Sequence, residues 1–236
     1  MSIVPGALNF RDVGGLPAGA SRTRQNVLFR SGHLAGLGDD GRRALAGLGI
    51  RRIVDLRADE EVASEPSRLA DLDIETVRIP LFLGSAASFF VDDLSLGEMY
   101  RGLVDDSADR LVAAARAVVS AQPVLVHCSV GKDRTGVTVG LLLAAAGVDE
   151  EAIIDDYART EAMLPPERNA RVLAYLRAIH PHARHLDDLA TRSPASVMRD
   201  LLISVRERYG SAAGYLRAHG LDAADIDRWE DALIAR

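Results

Sequence analysis

Pro123-Val124-Leu125-Val126-His127-Cys128-Ser129-Val130-Gly131-Lys132-Asp133-Arg134-Thr135-Gly136 is the stretch that decides how this chain reads. Residues 123–127 are a short apolar run bounded by a proline and a polar cluster, the pattern of a strand buried on both faces. A Gly-containing loop follows, and Arg134 to Ala146 is predicted as a helix that Gly147 closes. Strand, tight loop and helix in this order predict an α/β layer fold.

Working outward from that unit, Val27-Leu28-Phe29 and residues 52–56 and 74–79 also read as strands. Helices are predicted over 39–48, with Asp39 as N-cap and Gly49 as stop, and over 108–120. In the second of these, Leu111, Val112, Ala115, Val118 and Val119 recur at helical spacing. The expected core is therefore a central mixed, largely parallel sheet flanked by helices. After Asp149 the chain reads as helical, with Met198, Leu201, Leu202, Val205 and Tyr209 on one stripe and Ser193-Pro194 as its start signal. Residues 164–197, rich in proline, histidine and arginine, read as a helical lid inserted into a single domain over 1–236, or as a plain helical extension of it.

Composition narrows the function. Lys plus Arg total 28 against 34 Asp plus Glu, a net charge of −6, and no basic stripe stands out, so no nucleic-acid partner is expected. The start Met1-Ser2-Ile3-Val4-Pro5-Gly6 lacks the features of a secretory signal. The longest apolar run, about Val137 to Val148, is too short to cross a bilayer. A soluble cytoplasmic protein without a membrane segment is expected, with export by a signal-less route left open. Cys128 is the only cysteine, so no disulfide or cysteine-built metal cage is expected, and no cofactor. Lys132 is the only lysine of a chain that otherwise uses arginine, and it stands four positions after that cysteine.

A loop that joins a buried strand to a helix N-terminus turns backbone N–H groups inward and adds the positive end of the helix dipole. That nest suits a tetrahedral dianion, and the same field favours thiolate over thiol at Cys128. Arg134, six residues on, can bring its planar fork to the equatorial oxygens of a phosphoryl group. Ser129, Val130, Gly131, Lys132 and Asp133 complete the phosphate-binding loop. Thr135 is expected to donate its hydroxyl to the sulfur, His127 to buttress the loop, and Lys132 to stand at the rim facing a second phosphate or an acidic substrate surface. Asp133 reads equally as a general acid or as a loop brace paired with an arginine such as Arg57.

These residues resemble the protein tyrosine phosphatase superfamily with its Cys-x5-Arg loop. Within it, the chain is similar to the bacterial group of mycobacterial tyrosine phosphatase B and related phosphoinositide phosphatases. The resemblance runs through Asn9-Phe10-Arg11-Asp12-Val13-Gly14-Gly15, Phe29-Arg30-Ser31-Gly32, Asp55-Leu56-Arg57, the 127–136 loop, Asp156-Tyr157, Tyr209-Gly210-Ser211 and Gly214-Tyr215-Leu216. It implies a phosphotyrosine-phosphatase-like fold and a two-helix lid. It also implies Cys128 as nucleophile and Arg134 as phosphoryl binder. Lys132 and Asp133 match loop residues that the group associates with phosphoinositides as well as phosphopeptides. The expected partners are phosphorylated protein or phosphoinositide, with inorganic phosphate as product.

The wider superfamily takes its general acid from a loop after a strand, here the stretch after Ile79-Pro80-Leu81-Phe82, but Leu83-Gly84 stand there. The candidates are therefore Asp133, then Asp92 or Asp93, then Asp55. Arg11, Asp12, Arg30 and His33, near Gly-rich turns, read as loop ties outside the site. Two other functions compete: a sulfurtransferase carrying a persulfide on Cys128, and a phospho-ligand binding module without turnover.

Overall fold

The structure is a computed structural model that describes residues 3–70, 72–81 and 93–235. Its main sheet has five strands in the order β1-β4-β7-β5-β6: β1 is Arg11–Asp12, β4 Leu28–Ser31, β5 Arg52–Asp55, β6 Glu75–Arg78 and β7 Val124–His127. Strands β4, β7, β5 and β6 run parallel, and β1 lies antiparallel on the β4 edge. This is the expected mixed, largely parallel sheet. The apolar run read as a fully buried strand is its central strand, with all four residues of β7 buried.

Alternation along the strands divides the core. Leu28, Val54, Val124 and Val126 face the larger cluster, while Phe29, Ile53 and Leu125 face a smaller one under α1 (Asp39–Gly47). Between β5 and β6 lies α2 (Asp59–Ser64); α3 (Leu96–Asp106) and α4 (Ala108–Val119) precede β7. Helix α5 (Asp133–Ala145) leaves the loop after β7 and is buried along nearly its whole length, the mark of an apolar-all-round core helix.

Helices follow to near the C-terminus: α6 (Glu150–Met163), α7 (Pro166–Ile179), α8 (Leu186–Ala190), α9 (Ala195–Tyr209), α10 (Ala212–Ala218) and α11 (Ala223–Leu233). The predicted α9 stripe is buried at Met198, Leu201, Leu202 and Val205. Helices α7 and α8 hold a small cluster of their own, with Leu176, Leu186 and Ala190 at its centre. The sequence reading did not resolve the short second sheet, β2 (Pro17–Ala18), β3 (Ser21–Thr23) and β8 (Ile234–Ala235), which joins the two ends of the chain. Two- and three-residue strands carry too little pattern to be seen from periodicity.

Register places Ser31, His127, Asp55 and Arg78 in one row at the carboxyl ends of the parallel strands. Loops that leave this edge converge, as in open α/β sheets generally.

Candidate active site

The 128–132 loop leaves the central strand at that edge and delivers the chain into α5. Gly131 allows the turn. Its φ is +75°, and a Cβ there would lie 2.4 Å from the Ser31 carbonyl group, so no other residue fits without displacement. The Gly131 N–H points to Cys128 Sγ at 3.3 Å. The Gly131 carbonyl is held from behind by Asn9 Nδ2 and Arg30 Nη2, each at 3.0 Å.

Arg30 belongs to a buried charge cluster. Asp156 Oδ2 takes Arg30 Nη1 at 2.7 Å, and Asp156 Oδ1 takes Arg11 Nε at 2.7 Å. Burial and the neighbouring Arg30 charge push Arg11 down to about 10, while the two arginines hold the Asp156 carboxyl below its ordinary range against desolvation. Asp12 meanwhile accepts the N–H groups of Gly14 and Asn26. Arg11, Asp12 and Arg30 thus tie loops, and Arg11 and Arg30 brace the loop that carries Cys128.

His127 is fully buried, its Nδ1 3.2 Å from the Cys128 carbonyl oxygen and its Nε2 3.6 Å from Asp55 Oδ2. Burial pushes it down to about 4, so the ring is neutral at physiological pH and supports the loop. Asp55 is tied up by Arg57, with Nε on Oδ1 at 2.9 Å and Nη2 on Oδ2 at 2.7 Å. Arg57 also donates to the Glu65 carbonyl at 2.7 Å, which ties the end of α2 to the carboxyl edge of the sheet.

Helix α2 brings a residue the sequence reading did not single out. Glu61 receives Arg134 in a bidentate pair, Nη1 to Oε2 at 2.6 Å and Nη2 to Oε1 at 2.7 Å, and also accepts the Ser129 hydroxyl. Its Oε2 takes the Ala58 N–H at 2.8 Å, closing the helix start. Burial alone would raise its pKa, but the Arg134 bonds and charge bring it down to about 2. Burial opposes the Arg134 charge, yet Glu61 and the Cys128 sulfur together hold that guanidinium more firmly protonated than usual. Nothing in the run Asp59-Glu60-Glu61 marks the third acid; only folding puts it there.

Cys128, Ser129, Val130, Asp133, Arg134 and Glu61 line one cavity of about 340 Å³. Its remaining walls come from Met99 on α3, from Arg168, Val172, Tyr175 and Leu176 on α7, and from Leu189 and Ala190 on α8. Sulfur, guanidinium and carboxylate share one apolar-walled chamber.

The profile of the tyrosine phosphatase family matches residues 3–235. The chain belongs to that family. The phosphatase is 31% identical to the triple specificity protein phosphatase PtpB of Mycobacterium tuberculosis over an alignment covering 98% of each chain. It is 33% identical to a tyrosine-protein phosphatase of Nostoc commune, with 86% of this chain and 72% of that one covered. Among solved structures, the core catalytic domain of the PP-IP phosphatase SIW14 from S. cerevisiae, in complex with citrate, superposes with a TM-score of 0.41 at 17% identity, over 86% of this chain and 93% of that one.

The structure gives several of the phosphatase's expected site residues other partners than the sequence suggests. Lys132 does not stand at a solvent rim: it is 1% exposed, and its Nζ donates to the Asp188 and Arg192 carbonyls, each at 2.8 Å. Asp133 does not pair with Arg57; its Oδ1 accepts the Tyr100 hydroxyl at 3.0 Å and lies 3.2 Å from Lys132 Nζ. Thr135 Oγ1 is buried without a hydrogen-bond partner among the described residues, so the expected bond to sulfur is not made. Asp93 is bound to Arg184 at 2.6 Å and, like Asp55, does not line the cavity. The remaining candidate, Asp92, lies outside the described residues.

Tyr100 and Tyr157 stand 2.8 Å apart through their hydroxyls, so Tyr157 can donate to Tyr100 while Tyr100 donates to Asp133. Both phenols are held protonated, chiefly by burial. Among the described residues, no group of three or more His, Cys, Asp and Glu could hold a metal ion, and no helix is long and apolar enough to cross a membrane.

Proposed function

We propose that the phosphatase hydrolyses phosphate monoesters through a phosphocysteine formed on Cys128. The observation that carries this reading is that Cys128, Arg134 and Asp133 all open into one cavity with apolar walls. The Cys128 thiolate attacks phosphorus while Arg134 holds two equatorial oxygens. The ester P–O bond breaks, and Asp133 gives its proton to the leaving oxygen. Water then attacks phosphorus, Asp133 takes back a proton, and the S–P bond breaks to release inorganic phosphate and the thiolate.

Met99, Val172, Leu176 and Leu189 around the mouth suit an aromatic ring, which favours phosphotyrosine. The triple specificity of the mycobacterial relative supports a range wider than phosphotyrosine, and phosphoserine, phosphothreonine and phosphoinositide are the further substrates of this reading. Residues 1–236 act as one catalytic domain, and residues 164–197, with α7 and α8 over the cavity, serve as its lid. It works in the cytoplasm without a nucleic-acid partner.

A panel of phosphopeptides and phosphoinositides, run with wild type, Cys128→Ser and Asp133→Asn, tests the assignment. Wild type is expected to release phosphate without added metal and to be blocked by vanadate. Turnover retained by Cys128→Ser would overturn the covalent mechanism, and binding without turnover by wild type would identify a phospho-ligand module.

A further inference from the structure

The only lysine and the only cysteine of this chain are both buried in the loop between β7 and α5. Lys132 is 1% exposed and Cys128 3%. An ammonium has three N–H donors. Three acceptors surround this one: the Asp188 and Arg192 carbonyls at 2.8 Å each, and Asp133 Oδ1 at 3.2 Å. The two carbonyls lie in and just after α8, whose terminal carbonyls its own N–H groups do not reach. A buried ammonium is tolerated only when so paired, and its partners come from the first residue of α5 on one side and from residues 188 and 192 on the other.

The apolar attachment of α7 and α8 is divided. Leu189 enters the main core, whereas Leu176, Leu186 and Ala190 form a small separate cluster. At its base the segment is hooked by Ser193, whose Oγ accepts the Glu161 N–H at 2.9 Å and donates to the Ala158 carbonyl at 3.0 Å. Lys132 binds it at the catalytic loop itself.

We infer that Lys132 is a positioning residue: a latch that seats α8 over the cavity and in the same act restrains Oδ1 of the Asp133 carboxyl group. It binds no substrate while the helices are seated, since its three donors are taken. The idea rests on the phosphatase reading only for the role given to Asp133; the latch itself is read by chemical labelling, which needs no turnover.

The test compares wild type, Lys132→Met and Leu186→Ala. Each is treated with iodoacetamide, which alkylates Cys128, and separately with formaldehyde and borohydride, which methylates amines; peptide mapping separates Lys132 from the N-terminal amine. In wild type both residues are expected to react slowly. Leu186→Ala, which loosens the segment from its far side, is expected to speed both by the same factor. Lys132→Met is expected to speed Cys128 alkylation at least about tenfold, about 1.4 kcal/mol of closure. It is also expected to lower kcat more than it changes KM, most for esters with poor leaving groups. Methylation of wild-type Lys132 at the rate of a free amine would overturn the inference. So would unchanged Cys128 alkylation in Lys132→Met, or a rise in KM alone, which marks direct substrate contact. Should Lys132→Met fail to fold, the matched acceleration in Leu186→Ala decides, and unequal factors count against the latch.

Discussion

Arg134 and Glu61 meet fork to fork, 73 residues apart in sequence, with one Nη on each carboxylate oxygen. The pair fixes the guanidinium plane at the mouth of the loop before any phosphate arrives, the kind of preorganisation on which transition-state binding depends. Glu61→Ala should therefore lower kcat/KM for a small aryl phosphate by about 10- to 100-fold, about 1.4–2.7 kcal/mol of transition-state stabilisation. Steady-state kinetics decides it, and equal or greater activity in Glu61→Ala would mean the carboxylate competes with substrate instead.

The same pair carries a pH signature. Glu61 is held at about 2 in the folded protein, against an ordinary 4.5. A depressed carboxyl stabilises the fold above its ordinary pKa, and that stability is lost as pH falls towards the folded value. Urea midpoints measured from pH 6 to pH 3 should fall more steeply for wild type than for Glu61→Ala.

His127 acts in a higher window. Buried and neutral, it titrates at about 4 folded against 6.5 ordinarily, so the unfolded chain binds the extra proton first. Its contribution is whole above about pH 6.5 and shrinks as pH falls towards 4. Between pH 7 and pH 5 wild type should lose about 1–2 kcal/mol that His127→Gln does not. Urea unfolding at the two pH values measures the difference.

Among the described residues proposed as general acids, Asp133 is the one that lines the cavity, and Asp133→Asn removes its carboxyl. Turnover of an alkyl or phenyl phosphate should drop about 10²- to 10⁴-fold, the usual scale for acid catalysis. A nitrophenyl ester, whose leaving group needs no proton, should lose far less. Equal losses on both would place the acid elsewhere.

Asp156 sits 2.7 Å from both Arg11 and Arg30, with the three side chains at most 5% exposed. Asp156→Ala would leave two buried cations facing each other, a loss of about 3–5 kcal/mol. Thermal unfolding should shift down by about 10 °C, on the slope expected for a chain of this size. Because Arg30 also holds the Gly131 carbonyl, activity should fall at temperatures where the variant is still folded.

What was legible in the sequence was whatever short-range pattern encodes. The buried β7, the loop and α5 were readable because an apolar run, a glycine and a helix start occur within 14 residues, and Cys128 and Arg134 came with them. Glu61, Tyr100 and Asp156 were not assigned roles in the site, for a physical reason: each reaches the loop from another element, and nothing local separates Glu61 from Glu60 or Tyr100 from a core tyrosine. Lys132 shows the limit most plainly. Its singularity in the chain pointed to the loop, but its role depended on which acceptors the folded chain would place around its ammonium.

The sequence alone thus determined the α/β class, the central strand and the tight loop that joins it to α5 and carries Cys128 six residues before Arg134, because these follow from backbone propensity and from residues close together in the chain. Tertiary structure alone decided that Glu61 would grip Arg134, that Arg11, Arg30 and Asp156 would brace Gly131, and that Lys132 would turn from solvent to the carbonyls beside α8. A long side chain has several partners within reach of its stem, and only the packing of distant elements determines which of them it meets.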